Sequence, residues 1–248
     1  MEIQRSGHMA RKKSGAVDSA YEIILKRILS FELTPGEIVS DLLLSKQLKM
    51  SRTPVREAVM RLEIEGLLVR GETRVVVSGI SAHDIREICE VREAIENKAA
   101  SLILRNGGLS DKQMSELRRF NDEMNRNVEK GDFSTTNDFD DKLHSAIVLF
   151  SENNRLAEYY HRMRMQFKRA RWLTILNPKY KISVKEHSAI IDALAERNEK
   201  KTRAAIEQHL SNAADNFNTV LNDRNVSMLR KSIDLLPLRS APVKKRLR

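Results

Sequence analysis

From residue 81 to residue 222 the apolar side chains recur at intervals of three and four, and no stretch alternates between apolar and polar. That period places apolar groups along one face of an α-helix and excludes a β-sheet as the main layer of this half. "SAHDIREICEVREAIENKAASLILR" is representative. Behind a cap at Ser81 or Asp84, Ile85, Ile88, Val91 (or Arg92), Ile95 and Ala99 share a face, and "NGG" at 106–108 ends the helix. Further helices are predicted over about 110–130, 134–151, 154–176, 180–197 and 200–222. Their breaks fall at Gly131, "ENN" 152–154, "NP" 177–178 and "NEK" 198–200, and Asn154 is expected to cap the helix it adjoins. About six helices with short breaks make a bundle.

The first eighty residues follow a different plan. Tyr21, Ile24, Leu25, Ile28 and Leu29 line one helical face, "TPGE" at 34–37 is a turn, and a short helix over 41–48 sets Leu44 and Leu48 four apart. Ser51 or Thr53 is placed to cap a third helix, with Pro54 in its first turn, where a missing N–H is harmless. Val55, Ala58, Val59 and Leu62 supply its apolar face, and Gly66 suits a left-handed end. "LLVR", "GETR" and "VVV" then read as strand, turn and strand. Three helices and a hairpin make a winged helix-turn-helix. The fold class is therefore mainly α, an N-terminal winged helix-turn-helix followed by a C-terminal all-helical bundle. The expected divisions are 1–15, a disordered remnant of expression cloning; 16–78, the winged domain; 79–222, the bundle; and 223–248, a mobile basic tail.

Composition sets limits on the job. With 41% hydrophobic and 31% charged residues, the 248-residue chain has core enough for two domains. It has no apolar run near the roughly 20 residues that span a bilayer and no signal-peptide pattern. The single cysteine, Cys89, excludes an internal disulfide framework and fits a reducing cytoplasm. The net charge of +10 is uneven: residues 223–248 hold eight Lys/Arg against two Asp/Glu. A basic tail alone is weak evidence for nucleic acid.

Arg52 and Arg56, four apart, project together from the start of the third helix. In a helix-turn-helix that end enters the major groove of double-stranded DNA. Arginine binds guanine O6 and N7 through two parallel hydrogen bonds. The Ser51 and Thr53 hydroxyls suit phosphates, and Arg74 at the hairpin tip is placed for the backbone or minor groove. "PGEIVSDLLLSKQLKMSRTPVREAVMRLEIEGLLVR" resembles the N-terminal signature of the GntR family of bacterial transcriptional regulators over about residues 18–78. The resemblance implies that Arg52 and Arg56 are operator-contacting positions. One departure is Lys49, where the family usually has glycine; a non-glycine residue in a left-handed turn costs about 1 kcal/mol.

Of the six histidines, three stand on predicted bundle helices beside apolar faces: His144, His187 and His209. Asp140, four before His144, faces the same side, although Asp138 and Asp141 are also near and spacing does not choose among them. One aspartate and three neutral imidazoles in a helical core can ligate a divalent transition metal with positions to spare. Any one of these histidines alone reads equally as a satisfied core residue. Residues 81–222 are similar to the FadR-type C-terminal domain called FCD, whose aspartate and three histidines fall on Asp140, His144, His187 and His209. That resemblance implies a metal, zinc or nickel most often, beside a pocket for a small organic acid. It also implies an effector-binding arginine, here Arg92, which the spacing alone reads as an exposed partner of Glu96.

The reading that joins both halves is a homodimeric repressor, metal-containing and responsive to a small carboxylate effector, with no catalytic residues. A metal-dependent hydrolase with an appended DNA-binding domain is the alternative. It lacks a further general base such as the glutamate of an H-E-x-x-H helix. A non-specific DNA-packaging protein predicts a bundle indifferent to metals.

Overall fold

The computed structural model describes the backbone of residues 3–174 and 180–222, and the side chains of 15–171 and 183–219. The contacts divide the chain into two compact units, one within Met1–Glu63 and Leu67–Ser81, the other within Ile64–Gly66 and Ala82–Asp223.

The first unit opens with α1 (Ile3–Leu29). Its apolar stripe is buried as the spacing predicts: Tyr21, Ile24, Leu25, Ile28 and Leu29 are all under 9% exposed. The helix also runs through residues 3–14, where disorder was expected. No proline interrupts that stretch, so backbone hydrogen bonding continues beyond the stripe. Thr34–Glu37 forms a turn with Gly36 at φ 81° and a Glu37 N–H to Thr34 carbonyl bond of 3.0 Å, the type II pattern for Pro-Gly.

β1 (Ile38–Val39) follows, then α2 (Asp41–Leu48), capped by the Ser40 hydroxyl. Lys49 ends α2 in the left-handed region, at φ 53° and ψ 39°. The Met50 N–H returns to the Ser45 carbonyl and the Lys49 N–H to Lys46, a Schellman closure made without glycine. α3 (Arg52–Ile64) buries Val55, Ala58, Val59 and Leu62. Gly66, at φ 74°, lets the chain turn into β2 (Leu68–Arg70) and β3 (Val75–Val77). The hairpin is as predicted, but the sheet has three antiparallel strands in the order β1-β3-β2, with Val39 opposite Val75 and Leu68 opposite Val77.

The second unit holds six helices among the described residues: α4 (Ala82–Arg105), α5 (Asp111–Lys130), α6 (Phe133–Phe150), α7 (Asn154–Thr174), α8 (Tyr180–Ala195) and α9 (Glu199–Asn222). α4 packs on α9, α5 on α6 and α8, α6 on α7, and α8 on α9. Their shared core includes Ile103, Leu117, Met124, Leu143, Ile147 and Leu194. Ser110 and Gln113 close a capping box on α5, and Gly131 ends that helix at φ 72°. The cap of α7 is one residue earlier than expected. Asn153 Oδ1 accepts from the N–H groups of Arg155 and Leu156, both at 3.1 Å, and Asn154 is already helical. No described helix is long and apolar enough to cross a membrane. The expected break at 177–178 and the basic tail at 223–248 lie outside the described residues.

Candidate functional site

α6, α8 and α9 each bring one histidine to the middle of the second unit. His144, His187 and His209 are 0%, 0% and 3% exposed, and one ring nitrogen from each lies within 4.8 Å of the others. His144 Nε2 stands 3.1 Å from His187 Nε2. Nitrogen ligands about 2.0–2.1 Å from a zinc ion, at angles between 90° and tetrahedral, lie about 2.8–3.4 Å apart, so this pair fits one ion. Burial above all drives His144 and His187 well below the ordinary imidazole value, with Arg92 adding to it at His144 and His209 at His187. Neutral imidazole is the form that ligates.

Of the three aspartates that spacing left open, only Asp140 meets the cluster among the described residues. Asp138 is taken by Lys168 at 2.6 Å and Asp141 by Arg164 at 3.2 Å. Asp140 Oδ1 is 3.5 Å from His187 Nε2, and Oδ2 is 3.7 Å from His144 Nε2 and 2.6 Å from Arg171 Nη1. Burial opposes its ionisation, but Arg171, with the two histidines and Arg92, carries its carboxyl well below the usual range. An anionic oxygen beside neutral imidazoles is a donor set that suits a divalent transition metal.

Three contacts to the cluster escaped the sequence reading. Glu96 Oε2 lies 2.9 Å from His144 Nδ1, Glu186 Oε2 lies 2.9 Å from His209 Nδ1, and Arg171 holds Asp140. The only signal for the glutamates was an acid on a neighbouring helix face, which spacing cannot distinguish from a solvated one.

Arg92 occupies the core position for which Val91 was the other candidate. It is 5% exposed while Val91 is 41% exposed. Its Nε donates to Glu96 Oε1 at 2.5 Å, so the Glu96 pairing is present but buried rather than exposed. Burial opposes the charge on Arg92, but Glu96, with Tyr160 and Asp140, holds the guanidinium firmly protonated. Its Nη2 is buried without a hydrogen-bond partner among the described residues. Arg92, Asp140, Arg171, Phe167 and His209 line a cavity of about 50 Å³ that reaches the histidine cluster. A water needs roughly 10–15 Å³ on this scale, so the space matches a few non-hydrogen atoms.

In the first unit, Ser51, Arg52, Thr53, Arg56 and Arg74 are all exposed. α3 begins at Arg52, which puts Ser51 at the capping position and Thr53 inside the first turn. Arg52 is not free: its Nε and Nη2 reach the two carboxylate oxygens of Asp41 on α2, both at 3.0 Å. The hydrogen bond from Arg52 lowers the Asp41 pKa. The Nη1 edge of Arg52 faces away from that pair, and Arg56 has no hydrogen-bond or ion-pair partner among the described residues. Arg74 sits at the hairpin turn, its carbonyl accepting from the Gly71 N–H at 2.9 Å.

Residues 87–212 match the FCD domain, and residues 16–75 match the bacterial regulatory proteins of the gntR family. The chain is 26% identical over 209 residues to the Nta operon transcriptional regulator of Aminobacter aminovorans, covering 83% of this chain and 96% of that one. It is 23% identical over 212 residues to the HTH-type transcriptional repressor RspR of Escherichia coli (strain K12), covering 83% and 90%. The solved structure of E. coli McbR/YncC superposes with a TM-score of 0.67 at 19% identity, over 87% of this chain and 97% of that one, and so shares the fold.

Proposed function

Because the chain belongs to the gntR family of bacterial regulatory proteins and carries an FCD domain, a DNA-binding transcriptional regulator and not an enzyme, we propose that it is a metal-containing repressor whose grip on its operator is set by a small organic acid. The observation that carries the reading is a buried cluster of three ring nitrogens within 4.8 Å of one another, beside a cavity that His209, Asp140 and an arginine with an unpaired Nη2 line. Asp140, His144, His187 and His209 are the ligands in this reading, and zinc or nickel the ion. A bound ion supplies a positive centre for the effector's carboxylate oxygens. Arg92 takes the same carboxylate through Nη2, and the cavity sets a small size. RspR, a repressor by name, supports repression as the mode.

On the DNA side, Arg52 and Arg56 read base edges from the start of α3, Ser51 and Thr53 hold phosphates, and Arg74 reaches the backbone or minor groove. A homodimer places two such helices on half-sites about 34 Å apart. The effector shifts operator affinity only by as much as its own affinity differs between the two states of the bundle. The protein works in the bacterial cytoplasm, on double-stranded operator DNA.

Elemental analysis of the purified protein, followed by melting with a panel of small carboxylates, tests the reading. About one zinc or nickel per chain, lost in His187→Ala and His209→Ala, is expected, with a raised melting temperature for at least one acid. Metal retained at full occupancy in both variants would sink the ligand assignment.

A further inference from the structure

We infer that Glu96, anchored by Arg92, is a positioning residue that fixes the tautomer in which His144 presents Nε2 to the cluster. The use of that tautomer rests on the metal reading above; the tautomer itself does not.

Glu96 is 0% exposed, and both its oxygens are committed. Oε1 accepts from Arg92 Nε at 2.5 Å, and Oε2 lies 2.9 Å from His144 Nδ1. A carboxylate paired with a guanidinium only accepts hydrogen bonds, so the ring must carry its proton on Nδ1. Its lone pair then sits on Nε2, the atom 3.1 Å from His187 Nε2 and 3.7 Å from Asp140 Oδ2. Glu186 does the same for His209 from another helix, but its second oxygen accepts from Asn212 rather than from an arginine. Glu96 therefore differs from Glu186 in being fixed by a charge inside the core, and His144 inherits that rigidity.

Glutamine at position 96 makes a sharp contrast because it keeps the shape and offers one acceptor and one donor. With its oxygen on Arg92, its amide N–H faces His144 Nδ1, which must then accept. The ring proton moves to Nε2, and the lone pair is lost from the cluster.

The test uses the full chain stripped of metal with a chelator. Long-range ¹H–¹⁵N correlation of the imidazoles reports which nitrogen carries the proton, with His144→Gln assigning the ring. Wild type is expected to show Nδ1–H at His144, E96Q to show Nε2–H there, and E186Q to leave His144 unchanged. Zn²⁺ affinity, by competition with a chromophoric chelator, is expected to fall about 10–100-fold in E96Q and to recover partly in E96D, which keeps two acceptor oxygens. Nε2–H at His144 in the metal-free wild type overturns the inference whether or not E96Q folds. So does a folded E96Q with Nδ1–H and zinc affinity within twofold of wild type. A wild type that binds no Zn²⁺ but shows Nδ1–H at His144 sinks the metal reading and supports the tautomer assignment.

Discussion

At the residue scale, two exposed arginines four apart on α3 differ in what they touch. Arg56 makes no hydrogen bond or close ion pair among the described residues and feels the Asp41 carboxylate only at longer range, so it can turn two donors to a guanine. Arg56→Ala is expected to cost about 1–3 kcal/mol of discrimination at one base pair of each half-site. Competition binding with single-base operator variants measures it, and an unchanged base preference would remove α3 from the reading role. Lys49 makes the opposite kind of prediction. Its left-handed backbone carries a Cβ penalty that glycine lacks, so Lys49→Gly is expected to stabilise the first unit by up to about 1 kcal/mol in denaturant unfolding. Sequence spacing foresaw that Arg52 and Arg56 share a face of α3 and that Asp140 and His144 share one of α6. It could not foresee that Glu96, Glu186 and Arg171 meet His144, His209 and Asp140, because those contacts join different helices and leave no period in one. Nor could it choose among Asp138, Asp140 and Asp141; Lys168 and Arg164, thirty and twenty-three residues away in sequence, make that choice by occupying two of them.

At the element scale, helices were legible wherever an apolar stripe ran for three turns or more. Strand β1, at two residues, is too short to show alternation, and only its pairing with β3 reveals it. Arg92 shows the limit of periodicity from the other side. The helical period allowed either Val91 or Arg92 as the inward position, and hydrophobicity favours the valine. The buried ion pair with Glu96 makes the arginine the inward residue instead. Caps are a separate contribution. Ser110→Ala removes the hydroxyl that accepts from the Gln113 N–H and donates to Gln113 Oε1, leaving only the bond from the residue 110 backbone N–H to Gln113, so α5 is expected to lose about 1 kcal/mol. Amide hydrogen exchange should show the loss first in residues 111–114, and unchanged protection there would mean that packing on α6 and α8 alone fixes the helix start.

At the scale of the whole molecule, the second unit is built around charge and imidazole that an apolar core would do without. His144 and His187, driven by burial well below their ordinary value of 6.5, bind protons more readily when the chain is unfolded. Stability from this source is complete above about pH 6.5 and falls as the pH drops from there toward the folded-state values. The melting temperature of the metal-free protein is therefore expected to be lower at pH 5.5 than at pH 7.5, with a smaller difference in His187→Gln. An equal or larger difference in that variant would place the acid sensitivity elsewhere. The division into a winged domain and a bundle was readable in the change of pattern near residue 80, since a hairpin and a three-to-four repeat leave different signatures. The helical backbone of residues 3–14 was not, because hydrogen bonding can continue where no apolar stripe records it.

In the reading proposed for α3, the pairing of Arg52 with Asp41 has a consequence for how the protein searches a chromosome. A guanidinium already matched by a carboxylate draws less on the phosphates of random sequence than a bare one does, and displaces fewer counterions when it arrives. Arg56 then provides more of the loose hold during sliding. Arg52 travels with its fork braced and its side-chain freedom already surrendered, so engaging a base edge asks little further ordering of it. Both arginines then share the sharpness of the stop, while Arg56 alone sets most of the friction of the search.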